Sequence, residues 1–166
     1  MEPLIFSLDP GVSKIGWALT NLNGKTIDYG LLTDPQPDLP FNKRMNSLIN
    51  YLIFFYSNTF DRGVKYVVWE VVPSFARMNN KDLVQATANT LKVLAFQRNL
   101  EYHEYQAREW HNLFLGEPNC TKEDVKNKVL SLENIPLKQK YDVYDAIAIG
   151  KVAAANNIWE SFNDIS

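Results

Sequence analysis

Four acidic residues stand where a carboxylate has little packing use. Asp9 ends the apolar run Leu4-Ile5-Phe6-Ser7-Leu8, immediately before Pro10-Gly11. Glu70 is the single acid near the end of Lys65-Tyr66-Val67-Val68-Trp69-Glu70-Val71-Val72, just before Pro73. Asp142 and Asp145 are three residues apart on a predicted helix, which puts both carboxylates on the face carrying Ala146, Ile149 and Ala153. Taken singly, each has an ordinary explanation. Asp-Pro-Gly is good turn chemistry anywhere, and acids in a helix's first turn complement its dipole in water. Taken together, they form a set of oxygen ligands without histidine or cysteine, which favours hard cations, Mg²⁺ or Mn²⁺. Like charges at helix spacing repel, and buried carboxylates without partners are costly. A cation between them removes both penalties. Two such ions about 3.5–4 Å apart are the general device for phosphodiester cleavage, one activating water and the other stabilising the leaving oxygen.

The elements that must hold these acids follow from the pattern. Leu4 to Gly11 and Ile15 to Leu19 read as a strand, a tight turn and a returning strand. Asn23-Gly24 is a hairpin signal leading into a third strand over Thr26 to Leu32. Asp34 to Pro40 is a proline-rich loop. Phe41, Met45, Leu48, Ile49, Leu52 and Tyr56 then recur at helical spacing, with Pro40 tolerated at the start. Lys65 to Val72 is β-branched and aromatic, a central strand. Asn79 or Asn80 caps a helix with Val84, Ala88, Leu91 and Ala95 on one face. Glu101 to Tyr105 is a short strand and Gln106 to Leu115 a short helix. Thr121-Lys122-Glu123-Asp124 resembles a capping box opening a helix with Val125, Val129 and Leu132, and a last helix runs from Tyr141 to near Asn156. The order β-β-β-α-β-α-β-α-α-α gives an α/β fold: a mixed sheet, three antiparallel strands followed by parallel additions, flanked by helices.

Composition narrows the class. The 166 residues are 46% hydrophobic and 22% charged, the balance of one globular domain with a sizeable core. There is no apolar run of the roughly 18 residues a membrane span needs. Met1-Glu2-Pro3 lacks the basic region of a signal peptide, and Cys120 is the sole cysteine, so a reducing cytoplasm is expected, in a bacterium or a phage-infected host. The net charge of -2 argues mildly against nucleic-acid binding without excluding it, because clustered acids lower the total while lysines elsewhere can still form a patch.

Asp9-Pro10-Gly11 after the first strand, Glu70 closing the fourth, and Asp142-x-x-Asp145 followed by Ala146-Ile147-Ala148-Ile149 resemble the RuvC family of Holliday junction resolvases. Ala107-Arg108-Glu109-Trp110 and Thr121-Lys122-Glu123 fall in the same order, so the resemblance covers nearly the whole chain. It implies a ribonuclease H-like fold and a homodimer making paired nicks in four-way DNA junctions. It also implies Mg²⁺, with Mn²⁺ able to substitute and two ions per site, held by Asp9, Glu70, Asp142 and Asp145. The family has a lysine near the position of His111. A neutral histidine does not supply that fixed charge, and packing beside Trp110 explains it equally well. Lys122 matches a family lysine, and with Lys126 it makes a stripe that would position DNA rather than read sequence. Phe75 falls where family members present an aromatic wedge, and Arg77, Lys81 and Arg108 are further phosphate candidates. His103, in a predicted strand, reads as structural. The second helix, with Ala86, Ala88 and Ala95, is the candidate dimer contact.

Other readings keep part of this pattern. A nuclease acting on hybrids or flaps would share the metal site. An actin-like or sugar-kinase ATPase also has Asp-x-Gly on a first hairpin, but needs two lobes and leaves Asp142 and Asp145 unexplained. A nuclease-dead DNA-binding module would have no need of all four acids.

Overall fold

The computed structural model describes residues 2–11, 14–33, 36, 38–71 and 81–157. Its elements are β1 (Leu4–Pro10), β2 (Lys14–Asn21), β3 (Thr26–Thr33), α1 (Phe41–Phe60), β4 (Val64–Val71), α2 (Lys81–Gln97), β5 (Glu101–Gln106), α3 (Ala107–Leu115), α4 (Lys122–Leu132) and α5 (Tyr141–Ala155). The five strands form one sheet in the order β3-β2-β1-β4-β5. The pairs β1–β2 and β2–β3 are antiparallel; β1–β4 and β4–β5 are parallel. The three-strand meander followed by parallel additions is the expected α/β arrangement. The Asn23-Gly24 hairpin forms as expected, with Gly24 at φ 79° and the Asn21 side chain accepting the amides of Asn23 and Lys25. Helix α1 runs a turn beyond Tyr56, its last expected apolar contact, because Phe60 also packs into the core.

Strand parity divides the core in two. On one face Phe6, Leu8, Leu19, Val67 and Trp69 meet Leu52, Tyr56 and Phe60 of α1 and Ala88, Leu91 and Ala95 of α2. On the other, Ile5, Ala18 and Val68 meet α5, with α3 and α4 packed outside it. The same parity directs Ser7 and Asp9 of β1, and Glu70 of β4, toward the α5 face. Helix α5 buries eleven of its fifteen residues and is apolar nearly all round, as a helix enclosed between a sheet and other helices must be.

Two glycines set how closely α5 lies on the sheet. A Cβ on Gly16 of β2 would stand 1.8 Å from the carbonyl oxygen of Asp142, and one on Gly150 would stand 2.6 and 2.7 Å from the hydroxyls of Thr20 and Ser7. At the far end Lys151 donates to the Gly24 carbonyl and pairs with Glu133, whose carboxylate also accepts the Thr26 amide. That knot ties the end of α4 and the β2–β3 hairpin to α5. Among the described residues no helix is long and apolar enough to cross a membrane.

Candidate metal centre

Asp9 and Glu70 end adjacent parallel strands. The β1–β4 register closes with Leu8 opposite Trp69, so the two acids follow side by side at the same edge. Asp9 is also paired with Gly16 across β1–β2. The close approach allowed by Gly16 therefore delivers the first turn of α5, with Asp142 and Asp145, to the strand end that carries Asp9. Asp9, Glu70 and Asp145 line a cleft of about 130 Å³ with Ala107, Trp110, His111, Cys120 and Lys122. Asp142 is half-buried and outside that lining, but its charge acts on both Asp9 and Asp145.

The local structure of the surrounding helices explains the rest of the cleft. Thr121 caps α4: its hydroxyl accepts the Asp124 amide, and the Asp124 carboxylate accepts the Thr121 amide at 2.8 Å. Lys122 is thereby fixed as the first helical residue, and its ammonium lies 3.4 Å from Asp145 Oδ2. Gln106 caps α3 in a similar reciprocal box with Glu109, which turns Trp110 inward. Trp110 is 1% exposed, and its indole Nε1 donates to Glu70 Oε2 at 2.8 Å.

Electrostatically, the site holds more negative charge than it neutralises. Burial, followed by the charges of Asp145 and Glu70, holds the Asp9 carboxyl well above the usual carboxylate range. Burial likewise lifts Asp145 to about 6, against the pull of Lys122. Burial works against the Lys122 charge, but Asp145, Asp9 and Asp142 outweigh it and raise the ammonium above its ordinary value. Among the described residues no three acidic, histidine or cysteine side chains converge closely enough to close on an ion as they stand. The donor set nevertheless fits a hard divalent cation: carboxylate oxygens crowded into one cleft, two of them, on Asp9 and Asp145, held protonated to higher pH than usual, and a lysine ammonium seated on Asp145.

A pH dependence follows for the metal-free chain. A carboxyl lifted in the folded state from 3.8 to about 6 contributes stability that is full below the ordinary value and is lost as pH rises through about 6. In all, Asp145 forfeits roughly 3 kcal/mol, most of it between pH 4 and 6. Urea melts in chelator should show Asp145→Asn gaining on the native chain by roughly 2 kcal/mol between pH 4.5 and 7. A constant gap would mean that Asp145 titrates normally.

The remaining expected residues scatter. His111 lines the cleft, with its ring edge against Trp110 at 4.0 Å between centroids. Arg108 is exposed on the first turn of α3 and does not line the cleft. Lys126 pairs with Glu123 at 2.7 Å, and Tyr141 donates to the same carboxylate, so its charge is already partly answered. The His103 ring lies edge-on to Tyr105, at 4.4 Å between centroids, and does not line the cleft. Lys81 opens α2, with its side chain outside the described set; Phe75 and Arg77 lie outside the described residues altogether. Gly16, Trp110 and Cys120 are site residues that the sequence pattern does not single out. The nearest sequence signal for Trp110 is an indole in the first turn of a short amphipathic helix directly after a strand, and nothing local distinguishes Gly16 from any strand glycine.

A mixed five-stranded sheet in this order, with acids at the ends of its two central parallel strands and on the helix closed over them, defines a protein of ribonuclease H-like fold. Residues 5–153 match the model of the family described as crossover junction endodeoxyribonuclease RuvC, and the chain belongs to that family. It is 29% identical over 150 residues to the RuvC crossover junction endodeoxyribonuclease of Acinetobacter baylyi, covering 88% of this chain and 80% of the relative. It is 26% identical over 158 residues to that of Vibrio atlanticus, covering 93% and 88%. Among solved structures it is similar to Thermus thermophilus RuvC, with TM-score 0.73, 16% identity and coverage of 94% and 96%. It is similar also to the T. thermophilus protein in complex with a Holliday junction substrate, with TM-score 0.75, 18% identity and coverage of 95% and 96%. These two likenesses are of fold.

Proposed function

We propose that the chain is a divalent-metal-dependent endonuclease that resolves four-way DNA junctions by paired nicks. The observation that carries this is the convergence of Asp9, Glu70 and Asp145 on one cleft at the sheet edge, with Asp142 beside it, in a member of the crossover junction endodeoxyribonuclease family. Asp9, Glu70, Asp142 and Asp145 would hold Mg²⁺, or Mn²⁺ in its place, as one or two ions. When bound, such a cation supplies Lewis-acid stabilisation of the charge that develops on the phosphate oxygens and makes water a better nucleophile.

The chain's own residues have separate tasks. Lys122, on the capped first turn of α4, is held at the cleft mouth by Asp145 and, with that carboxylate engaged in holding a cation, would be free to meet a phosphate. The exposed Arg108, next to the cleft-lining Ala107, adds a positive charge there, with Phe75, Arg77, Lys81, His111 and Lys126 as the further DNA contacts of this reading. The buried indole of Trp110, with the partly buried Ala107 beside it, limits water around the acids. An end-labelled four-way junction and a linear duplex of the same sequence test the reading directly. Paired cuts should appear in the junction only, with Mg²⁺ and not with chelator. Equal cutting of both DNAs would leave a nuclease without junction selectivity, and junction binding with no cutting under any metal would leave a binding module.

Paired nicks need two such sites, and we assign the dimer contact to α1 and α2. Ala88 and Ala95 of α2 face the core, while Val93 and Phe96 are 56% and 82% exposed. Ile49, Ile53, Val93 and Leu94 border an apolar groove of about 360 Å³ between the two helices, and Phe54 of α1 is also largely exposed. Contiguous apolar surface of this kind supports a protein–protein contact. Phe96→Asp should convert the dimer to monomer in sedimentation while leaving circular dichroism unchanged. An unchanged mass for native and variant chains alike would remove α2 from the interface.

A further inference from the structure

Trp110 is more buried than a residue serving only as a cleft wall requires, and its one polar atom points at a proposed metal ligand. The indole N–H is a donor with a single direction. Buried tryptophan normally spends that donor on a structural acceptor; here the acceptor is Glu70 Oε2, at 2.8 Å. Three features hold the ring in place. The Gln106–Glu109 box fixes the start of α3, the His111 ring packs against the indole, and the surrounding core includes Val125 and Val129. The bond spans forty positions of sequence and joins α3 to the end of β4. Among the described residues Glu70 Oε1 accepts no hydrogen bond.

We infer that Trp110 is a positioning residue for Glu70: its indole N–H pins Oε2 and leaves Oε1 as the oxygen offered to a cation. This rests on the metal reading above. A glutamate at a strand end has three side-chain torsions to order when it binds an ion. Tying one oxygen to a rigid buried ring settles them beforehand, as partners of metal-binding carboxylates generally do. It also makes the site asymmetric, because Asp9 and Asp145 have no comparable fixed neutral donor among the described residues.

The test uses the chelated full-length chain without DNA, titrated with Mn²⁺ by calorimetry. Two variants separate packing from the hydrogen bond. Trp110→Phe keeps an aromatic ring, and replacement of Trp110 by benzothienylalanine keeps the bicyclic shape and loses only the N–H. Both should weaken Mn²⁺ binding by about 10- to 100-fold. The benzothienyl variant should keep the native melting temperature in chelator. In ¹⁵N spectra of the native chain, the Trp110 indole resonance, assigned by its loss in Trp110→Phe, should move on adding Mg²⁺ and should shift in Glu70→Gln. A purely structural tryptophan would lower the melting temperature of Trp110→Phe and leave Mn²⁺ affinity and the indole shift alone. That result overturns the positioning role while sparing the metal site. A native chain that binds no Mn²⁺ at millimolar concentration overturns both.

Discussion

Asp145→Asn should abolish junction cutting while leaving a folded protein. Asp145 is 5% exposed, its carboxyl is raised to about 6, and the ammonium within reach, Lys122, is itself largely exposed. The charge therefore burdens the metal-free fold, and its removal costs little packing because Asn is nearly isosteric. Function should respond in the opposite direction. Even residues one step removed from a metal cost about 10- to 100-fold when lost, so a direct ligand should cost at least about a thousandfold in rate. Single-turnover cleavage of a labelled junction reads the loss, and a thermal melt in chelator reads the stability. Loss of activity with matching loss of fold would mean that Asp145 is a structural residue; retained cutting would remove it from the site.

Gly16→Ala should do nearly as much from outside the cleft. The added methyl would sit 1.8 Å from the Asp142 carbonyl oxygen and 2.2 Å from its carbon. Both are helix backbone atoms, so the clash can be relieved only by moving the first turn of α5. Overpacking in cores costs about 1–3 kcal/mol where side chains can yield; against backbone, at least about 3 kcal/mol is expected. The displaced turn carries Asp142 and Asp145 away from Asp9, and a shift of about 1 Å in a reacting constellation can cost about 100-fold in rate. Gly150→Ala is the control. It meets the Thr20 and Ser7 hydroxyls at the other end of α5, so it should lower the melting temperature with much less effect on cutting per folded molecule. Equal rates for Gly16→Ala and the native chain would show that the α5 approach does not set the site.

The contrast between these residues shows what the sequence made legible. The acids stand out in the sequence because each breaks an apolar pattern, while the common face of Asp9 and Glu70 follows only from the β1–β4 register. The Thr121 capping box was readable as four consecutive residues, and it fixed Lys122 correctly at a helix start. What could not be read depends on separation along the chain. Gly16 matters through an atom of Asp142, and Trp110 through an atom of Glu70; neither partner is implied by its own neighbourhood. Lys122 and Lys126 looked alike as a stripe, yet one lies on Asp145 and the other on Glu123. That difference turns on side-chain reach, which helical spacing does not specify. The family resemblance points to α2 as the dimer contact without saying which face; Ala88 and Ala95 lie on its core side and the bulky Val93 and Phe96 on its outer one.

The most direct measurement is a diffraction experiment on crystals grown in chelator and then soaked in millimolar Mn²⁺, with data collected for manganese anomalous scattering. One or two peaks should appear among the carboxylates of Asp9, Glu70, Asp142 and Asp145, within about 2.0–2.6 Å of their oxygens. Lys122 should then be displaced from Asp145. An empty cleft under those conditions, with the Lys122 ammonium still seated on Asp145, would contradict the assignment of these acids as a metal centre.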